Sequence, residues 1–393
     1  MRRFELRLLV CLGVAAVVAA AVFTGCGDDG ADGGGGDNGG GQASKGSSSK
    51  YGIGLQLGPT VGSAEVGLAT EPYLAWNKDK CEYEEVPTPS TPYKAETRKV
   101  EGDLQIGYMH YGDTDPFGVA NSKSMKDVAN EAGIKLNVYN LKYPSQTEAL
   151  AQAKAAVLRK DQGVIQAQQI PAVNDAFLKI LQTDACIPTV QMYLVTPNVP
   201  SMGADWSAVG VAEGEWLANY AKENDVDPAS TALVSCTNPD LGESVNVIFD
   251  SAPKALADNG FELPSDNIFK LVCKDPQKSQ VALTDWFTSH PDFDHVMLNT
   301  IDDERMQGMI NAVEKTGNTD KAITIANGAD ELGISQIRSG KQMASIAFFP
   351  ERYGEWLIPL MEDILAGNPV PSFTGSGLVA ITPDNIDEYY PEG

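Results

Sequence analysis

Four cysteines and one acidic triplet are the residues of this chain whose types and spacing could do chemistry. Cys81, Cys186, Cys236 and Cys273 show no C-x-x-C or Cys/His spacing, so zinc ligation has no support. In an oxidising compartment an even set of thiols pairs as disulfides, and four thiols allow three pairings. Asp302-Asp303-Glu304 gathers carboxylates after an apolar run. A single triplet lacks the oxygen count of a calcium site, whereas the helix dipole favours Asp and Glu in a first turn. The three histidines, His110, His290 and His295, are too few for a His-rich metal site. His290 and His295 flank Pro291-Asp292-Phe293-Asp294, which reads as a surface turn. There is no G-x-S-x-G, no G-x-x-x-x-G-K-[ST] and no G-x-G-x-x-G after a strand. Gly33-Gly34-Gly35-Gly36 lies in a low-complexity stretch and cradles nothing. The chain is therefore expected not to be an enzyme, and neither a metal nor a cofactor is expected.

Two further cysteines lie near the N-terminus. Arg2, Arg3 and Arg7 precede an apolar run over 8–22, and Phe23-Thr24-Gly25 separates that run from Cys26. A basic start, a short apolar stretch and small residues before a cut make an export signal, and the run is shorter than the ~20 residues of a spanning helix. The segment resembles a bacterial lipoprotein signal, although Phe23 stands where Leu is usual. Residues 1–25 are then a signal peptide, taking Cys11 with them, and Cys26 is the acylated first residue, tethered outside the cytoplasmic membrane. Residues 26–50 are mostly Gly, Asp and Ser and form a flexible leash, because they cannot bury enough surface to offset ordering. Residues 51–100 combine Tyr73, Trp76 and Tyr83 with Pro87-Thr88-Pro89-Ser90-Thr91-Pro92. They are expected to be an irregular extension packing on the first lobe.

The positioning elements come next. About 290 residues follow Gly102, too many for one small core and suited to two lobes. The formal net charge is -24, from 53 acidic and 29 basic residues, and no Lys/Arg cluster interrupts it, so nucleic acid is excluded as a partner. Short apolar runs at 104–109, 136–139, 164–167 and 189–192 read as strands, and a second series follows at 232–236, 269–273, 295–298, 323–326 and 345–348. They lack clean alternation, as strands covered on both faces do. Between them lie helical stripes: Val173, Ala176, Phe177, Ile180 and Leu181, and later Tyr353, Trp356, Leu357, Leu360, Met361, Ile364 and Leu365. Gly133, Gly163, Gly260 and Gly340 follow helical patterns where a C-terminal stop belongs. Strict alternation predicts an α/β fold of two doubly wound parallel-sheet lobes, with Pro197-Asn198-Val199-Pro200-Ser201-Met202-Gly203 as a crossing strand. Ligands of such sheets sit at the carboxyl ends of the strands.

The strand order also predicts the disulfides. Cys236 and Cys273 end the first two strands of the second lobe, which lie side by side about 4.8 Å apart. That places their Cα atoms within the roughly 4.4–6.8 Å a disulfide spans. By elimination Cys81 pairs with Cys186 and staples the extension to the first lobe.

A resemblance accompanies these elements. Gln105-Ile106-Gly107-Tyr108-Met109 followed by Asp115-Pro116-Phe117 is similar to the opening of ribose/galactose-type sugar-binding proteins of bacterial ABC importers, which are type I periplasmic binding proteins. Similar stretches follow in order: 152–164, Ala185-Cys186-Ile187-Pro188-Thr189-Val190, Asp302-Asp303-Glu304 before Met309-Ile310-Asn311-Ala312-Val313, Ile337-Arg338-Ser339-Gly340-Lys341, Ile346-Ala347-Phe348-Phe349-Pro350 and Ile381-Thr382-Pro383-Asp384-Asn385-Ile386. The resemblance runs from about Gly102 to the C-terminus. It implies three crossing strands near 202–206, 349–351 and 374–379. The first lobe is then 101–203 with 350–375, and the second 204–349 with 376–393.

The resemblance also implies pocket positions. Phe117 matches an aromatic that stacks on a sugar ring, and Gln166 or Gln168 an amide after the third strand. Asn246 falls where Arg is frequent, and Asp302 where Asn or Asp follows a strand. Asn327 and Asp330 flank the place of a usual Asp, here Gly328, and Phe348 stands where an amide is common. Tyr193-Leu194 replaces a frequent Asp-Arg. With Tyr111 and Trp206, these positions are aromatic and neutral apart from the carboxylates. They suit an uncharged hydroxylated ligand, or one with an apolar or cationic part, and fit a phosphate or carboxylate poorly. The expected protein is a monomer, lipid-anchored to the outer face of the cell membrane, that delivers a neutral sugar or polyol to the transmembrane subunits of an ABC permease. The alternative is a receptor module presenting a small signal molecule to a membrane sensor.

Overall fold

The computed structural model describes residues 68–99, 102–110, 112, 116–141, 145–167 and 170–391. The signal and leash segments, with Cys26, and the positions Tyr111 and Gln168 lie outside the described residues. In chain order the strands are β1 (Leu68–Asn77), β2 (Glu82–Val86), β3 (Gln105–His110), β4 (Lys135–Asn140), β5 (Gly163–Gln166), β6 (Thr189–Met192) and β7 (Ser201–Gly203). They continue with β8 (Thr231–Thr237), β9 (Ile268–Val272), β10 (His295–Thr300), β11 (Ala322–Gly328), β12 (Ala344–Ala347), β13 (Val370–Gly375) and β14 (Val379–Ile381).

They form two sheets. The first has the order β2-β1-β13-β7-β6-β5-β3-β4, and the second β14-β12-β11-β10-β8-β9. From β13 to β4 every pair is parallel, while β1 and β2 join antiparallel at one edge. The second sheet is parallel except for β14. Helices cover both faces, which explains why β5, β6, β8, β11 and β12 are buried at every residue and read as unbroken apolar runs.

The chain passes between the sheets three times. It leaves β7 for the helix Trp206–Glu223, which packs on Ile248–Asp258 of the second lobe. It returns after β12 to the helix Tyr353–Ala366, which packs on Pro116–Ala132 of the first. It crosses once more from β13 to β14. The first of these helix pairs is in close contact: a Cβ at Gly214 would fall 2.3 Å from the Ala252 carbonyl oxygen.

Two expectations need correction. Residues 68–86 are not irregular. They form a hairpin in which Trp76 sits opposite Tyr83, with ring centroids 4.9 Å apart, and β1 pairs with β13. The partner strand lies far along the chain, and the neighbouring Pro-rich run hides the strands from a local reading. Residues 87–99 do run without strand or helix. Gly163 does not stop a helix. Lys160 takes the left-handed C-cap (φ 62°), and Gly163 opens β5 where Met361 leaves no room for a Cβ.

Both disulfides join the expected pairs. Cys81–Cys186 has Cα atoms 4.8 Å apart, and Cys236–Cys273 has them 5.3 Å apart at the adjacent ends of β8 and β9. The first fastens the hairpin to the lobe. Tyr83 Oη donating to the Thr189 carbonyl (3.1 Å) and the Arg98–Asp363 ion pair (3.0 Å) hold it further. Cys81 and Cys186 are 105 residues apart. In the chain-entropy model a loop of this length gives about 4–5 kcal/mol. Replacing both residues by Ser is therefore expected to lower the urea midpoint strongly, and an unchanged midpoint would show that the non-covalent contacts suffice.

Candidate functional site

A cavity of about 930 Å³ opens between the two sheets at the carboxyl ends of their strands. On one side stand Asn174 and residues 193–197, and on the other Thr237 and residues around Asn246; Ala204 and Phe373, beside the crossings, close its base. Asp205 sets the inner wall. Its Oδ1 accepts from the Ser207 (3.0 Å) and Ala208 (3.3 Å) amides, which makes Trp206 the first helical residue and brings its ring to the cavity. Tyr193 follows β6 with φ 60°, a left-handed conformation uncommon outside glycine, and its N–H donates to the Met202 carbonyl (2.9 Å).

Behind that wall five rings pack together. Phe117 lies 6.3 Å from Tyr193, 5.9 Å from Tyr353 and 6.5 Å from Phe348, and Trp206 lies 5.6 Å from Phe348 and 6.4 Å from Tyr193. The hydroxyls of Tyr193 and Tyr353 are hydrogen-bonded to each other. Phe117 and Phe348 thus belong to a packed cluster and do not line the open cavity, whereas Tyr193 and Trp206 belong to both.

The amides divide in the same way. Gln166 is buried and accepts from Gln191 Nε2 (2.9 Å). The same Gln191 nitrogen donates to Asn174 Oδ1, and Asn174 Nδ2 donates to Thr196 Oγ1 (2.9 Å). Gln166 therefore supports the cavity wall from behind. Asn246 lines the cavity, donates to the Asn238 (2.9 Å) and Gly242 (2.7 Å) carbonyls, and keeps a buried Oδ1 without a partner. The indole N–H of Trp206 is likewise buried without a partner. Both atoms lie beneath the cavity surface, so the parts of Trp206 and Asn246 that meet the cavity are the rest of each side chain.

The remaining expected positions are occupied otherwise. Asp302 caps the helix Asp303–Thr316, accepting from the Arg305 amide (2.8 Å) and pairing with the Arg305 guanidinium. Asp330 caps Glu331–Arg338 through the Leu332 (2.9 Å) and Gly333 (3.0 Å) amides. Asn327 points away from the cavity, donating to Glu213 (2.8 Å) and to the Thr300 carbonyl (2.7 Å). Among the described residues, no group of three or more His, Cys, Asp or Glu is placed to hold a metal ion, and no helix is long and apolar enough to cross a membrane.

The profile of the periplasmic binding protein domain matches residues 106–369. The chain belongs to the periplasmic binding protein family. The two parallel-sheet lobes are the type I fold of that family. No curated protein matches this chain. Crystal structures share the fold. A Mycobacterium smegmatis protein in complex with β-D-fucofuranose is 18% identical, with a TM-score of 0.62 over 74% of this chain and 94% of that one. The glucose-galactose binding protein of Geobacillus stearothermophilus is 18% identical, with a TM-score of 0.60 over 73% and 99%. A solute binding protein of Actinobacillus succinogenes with bound D-allose is 16% identical, with a TM-score of 0.62 over 73% and 100%.

One buried carboxylate of this periplasmic binding protein had no sequence signal. Glu213 lies inside the helix Trp206–Glu223, fully buried, and accepts from Asn299 (2.8 Å) and Asn327 (2.8 Å) on β10 and β11. Burial pushes its pKa up to about 8 from 4.5, against the two amides, which lower it. Proton uptake needs an acceptor facing the new O–H, and turning the Asn299 amide supplies one. The folded pKa lies above the unfolded one, so the stabilising contribution is full below about pH 4.3 and is lost as pH rises through about 8. Glu213→Gln is expected to gain Tm relative to the parent as pH rises from 5 to 8.5, and parallel Tm–pH curves would refute a titrating Glu213.

Proposed function

We propose that this chain is an extracytoplasmic sugar-binding lipoprotein that captures a neutral sugar or polyol between its lobes and delivers it to an ABC permease. The cavity composition carries the reading. Among the described residues that line it, Lys270 is the only cation, and Asp250 already holds it at 2.6 Å. Asp175, Asp205 and Glu243 add further negative charge. A phosphate or carboxylate would meet repulsion there and find no free guanidinium or ammonium among the described lining residues. The Tyr193 and Trp206 rings suit the apolar face of a sugar ring, and the carboxylates of the lining can accept from its hydroxyl edge. The sugars bound by proteins of the same fold agree with this class, although fold alone does not choose a ligand.

Two measurements test the proposal. In a thermal-shift screen of the mature chain, a neutral saccharide or polyol at a hundredfold excess over its Kd is expected to stabilise by about 2.7 kcal/mol, with sugar phosphates and amino acids inactive. Stabilisation by a sugar phosphate alone would overturn the neutral class. The wild-type protein is expected in the membrane fraction with Cys26 as its first residue, and Cys26→Ser is expected to lose the anchor. A mature N-terminus elsewhere would remove the lipoprotein part of the proposal.

A further inference from the structure

We propose that the hairpin of β1 and β2 is a redox-sensitive brace on the strand that carries the third crossing, with Cys81–Cys186 as its releasable fastening. β13 leads directly into that crossing. On one side it pairs with β7 through Phe373, Thr374 and Gly375. On the other it pairs with β1, from Val370 opposite Leu74 to Gly375 opposite Leu68. Among the described strands, the first half of β13 is therefore paired by β1 alone. The hairpin itself is a two-stranded ribbon, which has little stability unless something holds it. Its holds are the disulfide at its tip, the buried rings of Trp76 and Tyr83, the Tyr83–Thr189 hydrogen bond (3.1 Å) and Lys78 Nζ donating to the Leu365 carbonyl (3.2 Å). The hairpin and β13 both lie outside residues 106–369, the stretch that the family profile covers.

The two disulfides differ in access. Cys236 and Cys273 are both 0% exposed, and Cys236 lies inside β8, flanked by β9 and β10. Cys81 and Cys186 are only half-buried, beside the exposed residues Lys78, Asp79, Lys80, Thr183 and Asp184. Each of these two cysteines has φ 56°, a left-handed conformation that is costly outside glycine. Each also closes a turn, its N–H donating to the Asn77 (2.8 Å) or Gln182 (3.0 Å) carbonyl. Breaking the S–S bond lets both turns relax. The reductant is a dithiol. Its thiolate attacks one sulfur, forming a mixed disulfide while the other cysteine leaves as a thiolate and takes up a proton. The second thiol of the dithiol then displaces the first cysteine. Two electrons pass to the cystine, which becomes two thiols, and the dithiol becomes a disulfide. Attack requires access to a sulfur, so a dithiol reaches Cys81–Cys186 and not Cys236–Cys273. After reduction the hairpin keeps its non-covalent contacts alone, and β1 opens locally from β13 more often.

Graded dithiothreitol on the mature chain in native buffer, followed by alkylation with N-ethylmaleimide and peptide mapping, tests the access. Cys81 and Cys186 are expected to be alkylated at a reductant concentration at least tenfold below that needed for Cys236 and Cys273. Hydrogen exchange tests the brace. In the selectively reduced protein, peptides covering 68–77 and 369–376 are expected to exchange at least tenfold faster, peptides covering 231–237 are expected to be unchanged, and reoxidation is expected to restore the original rates. The double variant Cys81→Ser with Cys186→Ser is expected to reproduce the reduced pattern without reductant, and the reduced parent makes the same comparison if that variant does not fold. Simultaneous alkylation of all four cysteines overturns the proposal, because the first disulfide is then no more accessible than the second. Selective reduction with unchanged exchange at 369–376 also overturns it, because the disulfide then does not fasten the brace. Neither outcome bears on which ligand the cleft takes.

Discussion

Contact between the lobes through the rings of Phe117, Tyr193, Trp206, Phe348 and Tyr353 governs the rest of the cleft. Aromatic pairs of this kind add about 0.5–1.5 kcal/mol each beyond the area they bury. Two of the contacts, Phe117–Phe348 and Tyr193–Trp206, join elements on opposite sides of the crossings. They belong to the protein's own side chains and join the lobes beside the crossings. They also divide the cleft, filling one part and leaving the other as the cavity beside Asn246.

Charge in the cleft follows from how parallel sheets end. Each strand hands over to a helix, and each helix N-terminus leaves amide groups to be satisfied. This chain uses aspartate for the task at 205, 275, 302 and 330. Carboxylates therefore collect at the edge where ligands bind, and their first duty is capping. Where a guanidinium accompanies them, as Arg305 does Asp302, it is spent on that carboxylate and on the Cys273 and Lys274 carbonyls. The result is an edge rich in acceptors and poor in free cations. That follows from the fold's own wiring as much as from ligand choice.

The legible part of this fold is the part whose partners are covered on both faces. β5, β6, β8, β11 and β12 are short apolar runs, because burial on both sides leaves little room for polar alternation. β1 and β2 leave no local signal because what makes them strands is pairing across the chain, as between Leu68 and Gly375, and β13 and β14 enter only through the crossing near 374–379 that the resemblance implies. Disulfide partners were legible once strand order was, since Cys236 and Cys273 sit at neighbouring strand ends. The site was legible by location and by residue type, but not by role. Asp302 and Asp330 stand at the cleft edge and cap helices, and Asn327 turns inward to Glu213. Glu213 is preceded by Gly210-Val211-Ala212 and followed by Gly214 on an ordinary-looking helix. Its place against the sheet, where Asn299 of β10 and Asn327 of β11 meet it, puts it out of water.

These pieces bear on how a two-lobed binder signals its loaded state. A ligand moves the lobes only by the difference between its affinities for the closed and open arrangements. Side-chain contacts across the cleft shift that balance only where one arrangement makes them and the other does not. The Phe117–Phe348 and Tyr193–Trp206 contacts sit beside the crossings, where the lobes stay joined, so the balance rests on what touches both walls of the cavity, residues 193–197 on one side and those around Asn246 on the other.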